Sequence, residues 1–221
     1  MGGAESNDPG ATPSGGAANA RCGISEKSAT RGPREAWDAF GGKGEIATAL
    51  EPVQKGLCPY CEESLTTWGH HIDHVVPKTG HPPGTFLFEN LVICCINAHQ
   101  LPAPWGTSCG HFRGGEYNPV LFVKPTEPDC SDYFSCRLSG ELRPAPGLSA
   151  DREARAEYMI RELNLKCERL NRRRRDWITM MQKMMAGLGN DEEAIKWYLR
   201  DCLQHGKPFI TVVREYFGWM D

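Results

Sequence analysis

The chain has 221 residues, 40% hydrophobic and 24% charged, with 10 cysteines, 24 glycines, 16 prolines and a formal net charge of −3. That length suits one substantial domain, or a small site module joined to a helical half. The absence of an 18-residue apolar run excludes a transmembrane helix, and without a basic-then-apolar leader the expected location is the cytoplasm, where clustered thiols more often hold metal than form disulfides.

Residues 1–33 are dominated by Gly, Ala, Ser, Thr and Pro, a composition that buries too little apolar surface to fold, so a disordered tail is expected, with Cys22 an idle thiol within it. From Arg34 to Gln54, Trp37, Phe40, Ile46 and Leu50 recur at helical spacing, and Gly41-Gly42 divides the stretch into two short helices. Residues 56–113 are rich in Cys and His, with short strands expected at 70–74 and 91–95. Residues 101–147 read as a loop-rich connection. Ser149 or Asp151 then caps a helix through Met159, Ile160 and Leu163. A second helix aligns Leu170, Trp177, Met181, Met184 and Leu188 before a Gly-Leu-Gly stop. Asn190 caps a third with Ala194, Trp197, Tyr198 and Cys202, and an amphipathic piece follows Pro208. The expected class is α+β, with residues 34–147 as the site module and 148–221 as a helical region.

Cys58-Pro59-Tyr60-Cys61 is a CxxC knuckle preceded by Gly56, a turn that brings two thiolates to one ion. The second pair that zinc needs is not a clean CxxC. Cys94, Cys95 and Cys109 are available, with Cys130 and Cys136 further on. On a strand over 91–95, Cys95 shares the side of Leu91 and Ile93, and Cys94 takes the other. The bland alternative is that these thiols are buried small hydrophobes. A redox pair is disfavoured because no thioredoxin-like βαβ pattern surrounds the knuckle.

Between the thiol groups lies His70-His71-Ile72-Asp73-His74-Val75-Val76-Pro77-Lys78. Adjacent Asp73 and His74 on a strand point to opposite faces, so they need not compete for one ion. The carboxylate suits a hard divalent cation, and a neutral imidazole takes a proton from water near pH 7, a chemistry fitted to phosphodiester hydrolysis. Asn90 is placed to orient a catalytic group, and His111 is a candidate second metal ligand.

The set Cys58-x-x-Cys61, Ile72-Asp73-His74-x-x-Pro77-Lys78, Phe88-x-Asn90-Leu91, Cys95 and Cys109-Gly110-His111-x-Arg113-Gly114 resembles an HNH endonuclease. More narrowly, it resembles the HNH subfamily of bacterial anti-phage defence systems of the Septu type and of some retrons, in which the nuclease works with an ABC/SMC-like ATPase. Glu162-Leu163-Asn164-Leu165, Leu170 and Arg172–Arg175 extend the resemblance, which spans roughly residues 35–217. It implies a ββα-metal core, with His74 as general base, Asp73 and His111 as ligands of a catalytic Mg²⁺ or Mn²⁺, and Asn90 holding the loop that orients His74. It implies a structural Zn²⁺ on Cys58, Cys61, Cys95 and Cys109, and phosphate contacts from Lys78 and Arg113. The commoner HNH pattern has a tight second CxxC, whereas thirteen residues separate Cys95 from Cys109 here. A rival assignment pairs Cys95 with His99 or Cys94 and moves the third HNH residue to His99.

The site module is not basic, carrying Glu51, Glu62, Glu63, Asp73 and Glu89 against Lys55 and Lys78 over residues 51–111. Residues 151–183 compensate with ten Lys/Arg against six Asp/Glu, including Arg172–Arg175. That run reads as a phosphate-binding surface, a dock for an acidic patch on the ATPase, or a solvated helix face. The expected function is DNA cleavage, with no membrane association. The competing readings are an RNA-cleaving variant and a non-catalytic zinc-bound module that binds nucleic acid or a partner.

Overall fold

The computed structural model describes residues 32–96, 106–189 and 191–217. The tail expected over 1–33 lies outside these residues except for its last two, and His99 lies outside them altogether. Helix α1 (Pro33–Asp38) opens on a proline in its first turn, where the missing N–H has no partner to lose. The glycine pair at 41–42 ends that segment and α2 (Lys43–Val53) follows, as the sequence pattern requires. Trp37 and Leu50 are the buried anchors of the two helices.

Lys55 and Gly56 then adopt positive φ, a left-handed turn that starts the cysteine knuckle. An isolated bridge between Leu57 and Ser64 closes its base, and Cys58 N–H donates to Glu63 O at 2.9 Å. Strand β1 (His70–His74) pairs antiparallel with β2 (Leu91–Cys95), with His70 opposite Cys95 and His74 opposite Leu91. Two 3-10 turns, Pro82–Phe86 and Phe88–Asn90, occupy the connection. The five-residue helix α3 (Cys109–Arg113) follows the hairpin. The loop-rich stretch adds a second small sheet, β3 (Phe134–Cys136) against β4 (Leu142–Pro144). Four helices complete the chain: α4 (Ala150–Glu162), α5 (Glu168–Leu188), α6 (Glu192–Gln204) and α7 (Ile210–Phe217). Helices with two small sheets make the chain α+β. The third helix of this half is capped by Asp191, which accepts from Ala194 N–H at 3.0 Å, rather than by the expected Asn190. Position 190 lies outside the described residues.

One apolar cluster runs from Trp37 and Leu50 through β2 to Met159, Leu163, Leu165 and Leu170, and a smaller one holds Met181, Leu199, Cys202 and Val213. The methionines of α5 are divided between core and surface, with Met181 fully buried and Met180 and Met184 exposed.

The arginine run is divided between core and surface, as a helical run of four requires. Arg174 is buried and donates to the Leu165 carbonyl at 2.9 Å, and Arg173 reaches buried Glu63 at 3.2 Å. Arg172 and Arg175 are partly exposed and lie 3.9 Å from Asp176 and Glu168. Successive helical positions are rotated by about 100°, so four consecutive arginines divide between core and surface. The run does not form one phosphate-binding face. Arg169, just before it, pairs with Glu63 and donates to Ser108 Oγ at 2.8 Å, which ties α5 to the knuckle and to the start of α3. Glu62 accepts from both the Thr211 N–H and its hydroxyl, which pins α7 to the same knuckle. Among the described residues no helix is long and apolar enough to cross a membrane.

Candidate functional site

Five thiols converge where the knuckle meets the end of β2 and the start of α3. The sulfurs of Cys61 and Cys95 lie 3.4 Å apart, those of Cys95 and Cys109 3.7 Å, and those of Cys58 and Cys94 4.0 Å. Cys58, Cys94, Cys95 and Cys109 have all four sulfurs within 4.8 Å of one another, and Cys61 adjoins them beside Cys95 and Glu63. The strand reading put Cys94 and Cys95 on opposite sides, yet both reach the cluster. Strict alternation fails there because β2 ends at Cys95 and the chain turns at Ile96, whose φ is 75°. Cys130 and Cys136 stand apart in and before β3.

The electrostatics match a metal-binding cluster. Burial opposes a thiolate at Cys58, but hydrogen bonds from Cys109, Cys61, Cys94 and Cys95 outweigh it and hold that thiol well below its ordinary pKa. Burial pushes Cys61 up to about 11 and raises Cys94 and Cys109 as well. A soft divalent ion bound among these sulfurs would lower the pKa of each and hold them as thiolates. Cys109 has φ 58°, a strained value for a non-glycine residue, and is held by its N–H bond to Leu163 O at 2.8 Å. The Gly110 N–H donates to the Cys94 sulfur at 3.2 Å.

On β1, alternation sorts the polar residues as expected. His71 and Asp73 face α3, whereas His74 lies against Trp37, with ring centroids 4.5 Å apart at 82°. His74 is buried, and its Nε2 bonds to the Thr85 carbonyl at 2.9 Å. A carbonyl only accepts, so Nε2 carries the proton and the lone pair of the neutral ring sits on Nδ1. Burial lowers the His74 pKa, more than the Thr85 bond restores, and the neutral form prevails at pH 7. Lys78 Nζ lies 3.5 Å from that Nδ1.

Asn90, also buried, spans the connection between the strands. Its Oδ1 accepts from Val76 N–H at 2.7 Å, and its Nδ2 donates to the Val76 and Gly84 carbonyls at 3.0 Å each. This fastens both ends of the loop whose Thr85 carbonyl orients His74.

Asp73 Oδ2 accepts from the Tyr60 hydroxyl and from Arg113 Nη2, each at 3.0 Å. Arg113 is buried and also donates to the Val75 carbonyl at 2.8 Å and the His74 carbonyl at 2.6 Å. The expectation of a phosphate contact from Arg113 is corrected: the side chain is buried, and both its terminal nitrogens strap α3 to the end of β1. The same helix brings His111 to β1, its ring 4.0 Å from that of His71. Gly110 is required for this approach. A Cβ there would lie 2.7 Å from Asp73 Cγ and 3.1 Å from His71 Nε2.

His71 is the residue that sequence reasoning missed. Its Nδ1 bonds to the Ile96 carbonyl at 2.9 Å, which leaves the Nε2 lone pair directed at the space beside Asp73 and Gly110. The available signal was parity, since residues 71 and 73 share a strand face. Asp73, His71 and His111 supply one carboxylate and two imidazoles, a donor set that suits a divalent ion. Among the described residues only the thiol-centred groups have their ligating atoms gathered within 4.8 Å.

No protein-family model matches the chain. Its similarity is to HNH proteins of bacterial retrons, which bears out the resemblance seen in the sequence. It is 29% identical over 112 residues to "Retron Vc95 putative HNH endonuclease" of Vibrio cholerae serotype O1 biovar El Tor, covering 49% of this chain and 51% of that protein. It is 26% identical over 183 residues to "Retron Ec83 putative HNH endonuclease" of Escherichia coli, covering 65% of this chain and 70% of that protein. The chain thus spans about half the length of the first of these curated relatives.

Proposed function

We propose that the chain is a metal-dependent HNH endonuclease that hydrolyses DNA phosphodiester bonds as the nuclease of an ATPase-coupled anti-phage defence system in the cytoplasm. In this reading residues 34–147 are the nuclease module, with β1, β2 and α3 as its ββα-metal core, and residues 148–221 are the helical region that docks the ABC/SMC-like partner. The observation that carries it is the division of labour on β1. His74 is oriented by the Thr85 carbonyl with a lone pair on Nδ1, while Asp73 meets α3 beside His71 and His111.

His74 takes a proton from the attacking water at Nδ1 as the water oxygen bonds to phosphorus. The P–O bond to the leaving sugar oxygen breaks, and that oxygen takes up a proton from solvent. Asn90 and Arg113 act as positioning residues, holding the loop and the strand end that carry His74 and Asp73. A Mg²⁺ or Mn²⁺ on Asp73 and His111, with His71 as a further donor, would polarise the scissile phosphate and stabilise the leaving oxygen. The thiols suit a structural Zn²⁺, with Cys58, Cys95 and Cys109 common to both possible sets of four and the last place filled by Cys61 or Cys94.

The test is plasmid cleavage by the zinc-loaded chain, alone and co-expressed with its neighbouring ATPase, in Mg²⁺ or Mn²⁺. His74→Ala should abolish nicking while zinc content and melting temperature stay unchanged. Retained nicking by that variant removes His74 from the mechanism. Cleavage of RNA in preference to DNA would reassign the substrate.

A further inference from the structure

Two lysines lie around Trp37, the ring packed against His74, and neither forms an ion pair within 4 Å among the described residues. Lys78 Nζ and Lys43 Nζ each lie 5.6 Å from the centroid of Trp37, the ring that packs edge-on against His74. Lys43 donates to the Asp38 carbonyl at 3.3 Å, and among the described residues the Lys78 ammonium has one hydrogen-bond contact, the long one to His74 Nδ1. Among the described residues neither has a carboxylate within 4 Å. Lys78 faces charges of both signs, with the carboxylates of Asp38 and Asp73 acting on it ahead of the cations Arg34 and Lys43. A shallow groove beside β1 is lined by Trp37, Lys43 and Ala47 and by the strand residues His70, His71 and Ile72.

We propose that Lys43 and Lys78 form the seat for the backbone phosphate of the DNA strand being cut, and that Lys78 caps Nδ1 of His74 until that phosphate draws it away. The inference rests on the reading of His74 as the base. A 3.5 Å contact from an ammonium to a neutral imidazole is at the weak limit of hydrogen bonding. A phosphate oxygen carries charge and makes a shorter bond to the same ammonium, roughly twice as strong as a neutral one. The exchange therefore favours the phosphate. It leaves the Nδ1 lone pair open to water only once the backbone is in place. Each ammonium group lies 5.6 Å from the Trp37 centroid, a cation–π contact that tethers it near the ring packed on His74.

The experiment uses the full zinc-loaded chain and a fluorescein-labelled duplex DNA oligonucleotide, with binding read by anisotropy over a range of KCl concentrations. Each lysine lost from a phosphate contact should lower the slope of log Kd against log salt by about 1, so the Lys43→Gln/Lys78→Gln double variant should lose about 2. Lys78→Arg should restore most of what Lys78→Gln loses. In cleavage assays Lys78→Gln should raise KM far more than it lowers kcat, because the base is then uncapped at saturating DNA. Zinc content and melting temperature of the variants should match the parent. An unchanged affinity and salt slope in the double variant overturns the seat, as does failure of the unsubstituted chain to bind DNA. If that chain nevertheless cleaves, His74 keeps its role. Weakened, salt-insensitive binding by the lysine variants of a chain that never cleaves supports the seat and removes the nuclease reading.

Discussion

Replacing Gly110 by alanine tests whether α3 must close on β1. In an ordinary helix the change is favourable, since alanine exceeds glycine by about 1 kcal/mol in helix propensity. At Gly110 the new methyl would sit 2.7 Å from Asp73 Cγ and 2.8 Å from Asp73 Oδ2, whereas carbon atoms in contact prefer roughly 3.5–4.0 Å. Either α3 retreats by about 1 Å or Asp73 turns away from Arg113 and Tyr60, whose bonds to it are 3.0 Å. Overpacking of this kind costs about 1–3 kcal/mol, so after the propensity gain the expected net loss is about 0–2 kcal/mol. For a domain of this size that lowers the melting temperature by up to roughly 8 °C. Displacing Asp73 and His71 by a similar distance should reduce cleavage on the order of 100-fold. Gly187 in α5 is the control, because a Cβ there meets nothing within 4 Å. Gly187→Ala should raise the melting temperature by a few degrees (about 1 kcal/mol). The assay is thermal unfolding at matched zinc occupancy, followed by plasmid nicking. A Gly110→Ala chain as stable and as active as the parent would refute the close approach of helix and strand.

The purified chain should contain one zinc per molecule, which Cys58→Ser releases together with a cooperative thermal transition, as read by metal analysis and calorimetry. Of Cys61→Ser and Cys94→Ser, one should keep the ion, and stoichiometric zinc in Cys58→Ser would sink the thiol site. Asn90→Ala removes three hydrogen bonds from a buried position and should cost about 2–4 kcal/mol. An unchanged urea midpoint would show that the loop needs no such brace. Arg169→Met leaves the fully buried Glu63 with only the half-exposed Arg173, so a loss of about 3–5 kcal/mol is expected. Glu63→Gln added to Arg169→Met should recover part of it, and simple additivity of the two changes would contradict a shared buried pair.

Much of the site was legible in the chain itself because it rests on local rules. The glycine pair at 41–42 did split two helices, and strand parity did separate Asp73 from His74. The CxxC turn, the strand at 91–95 and the Cys-Gly-His segment were visible as spaced residue types. Their convergence was not, because it depends on how a hairpin and a five-residue helix pack together. Parity was misleading at Cys94 and Cys95, where a left-handed Ile96 ends the strand and both sulfurs turn to one cluster.

Periodicity and turn chemistry over a few residues fix the inventory: a thiol knuckle, an Asp-His strand, an asparagine loop and an amphipathic helical half. Tertiary structure decided the roles of the long side chains. Arg113 is expected at a phosphate and Arg174 belongs to a run open to several readings, yet both are buried straps, while Lys78 lies 3.5 Å from His74 Nδ1 and Lys43 sits by Trp37. A guanidinium or ammonium at the end of a flexible stem reaches several ångströms, so its partner is set by which elements pack within that reach and not by its place in the chain.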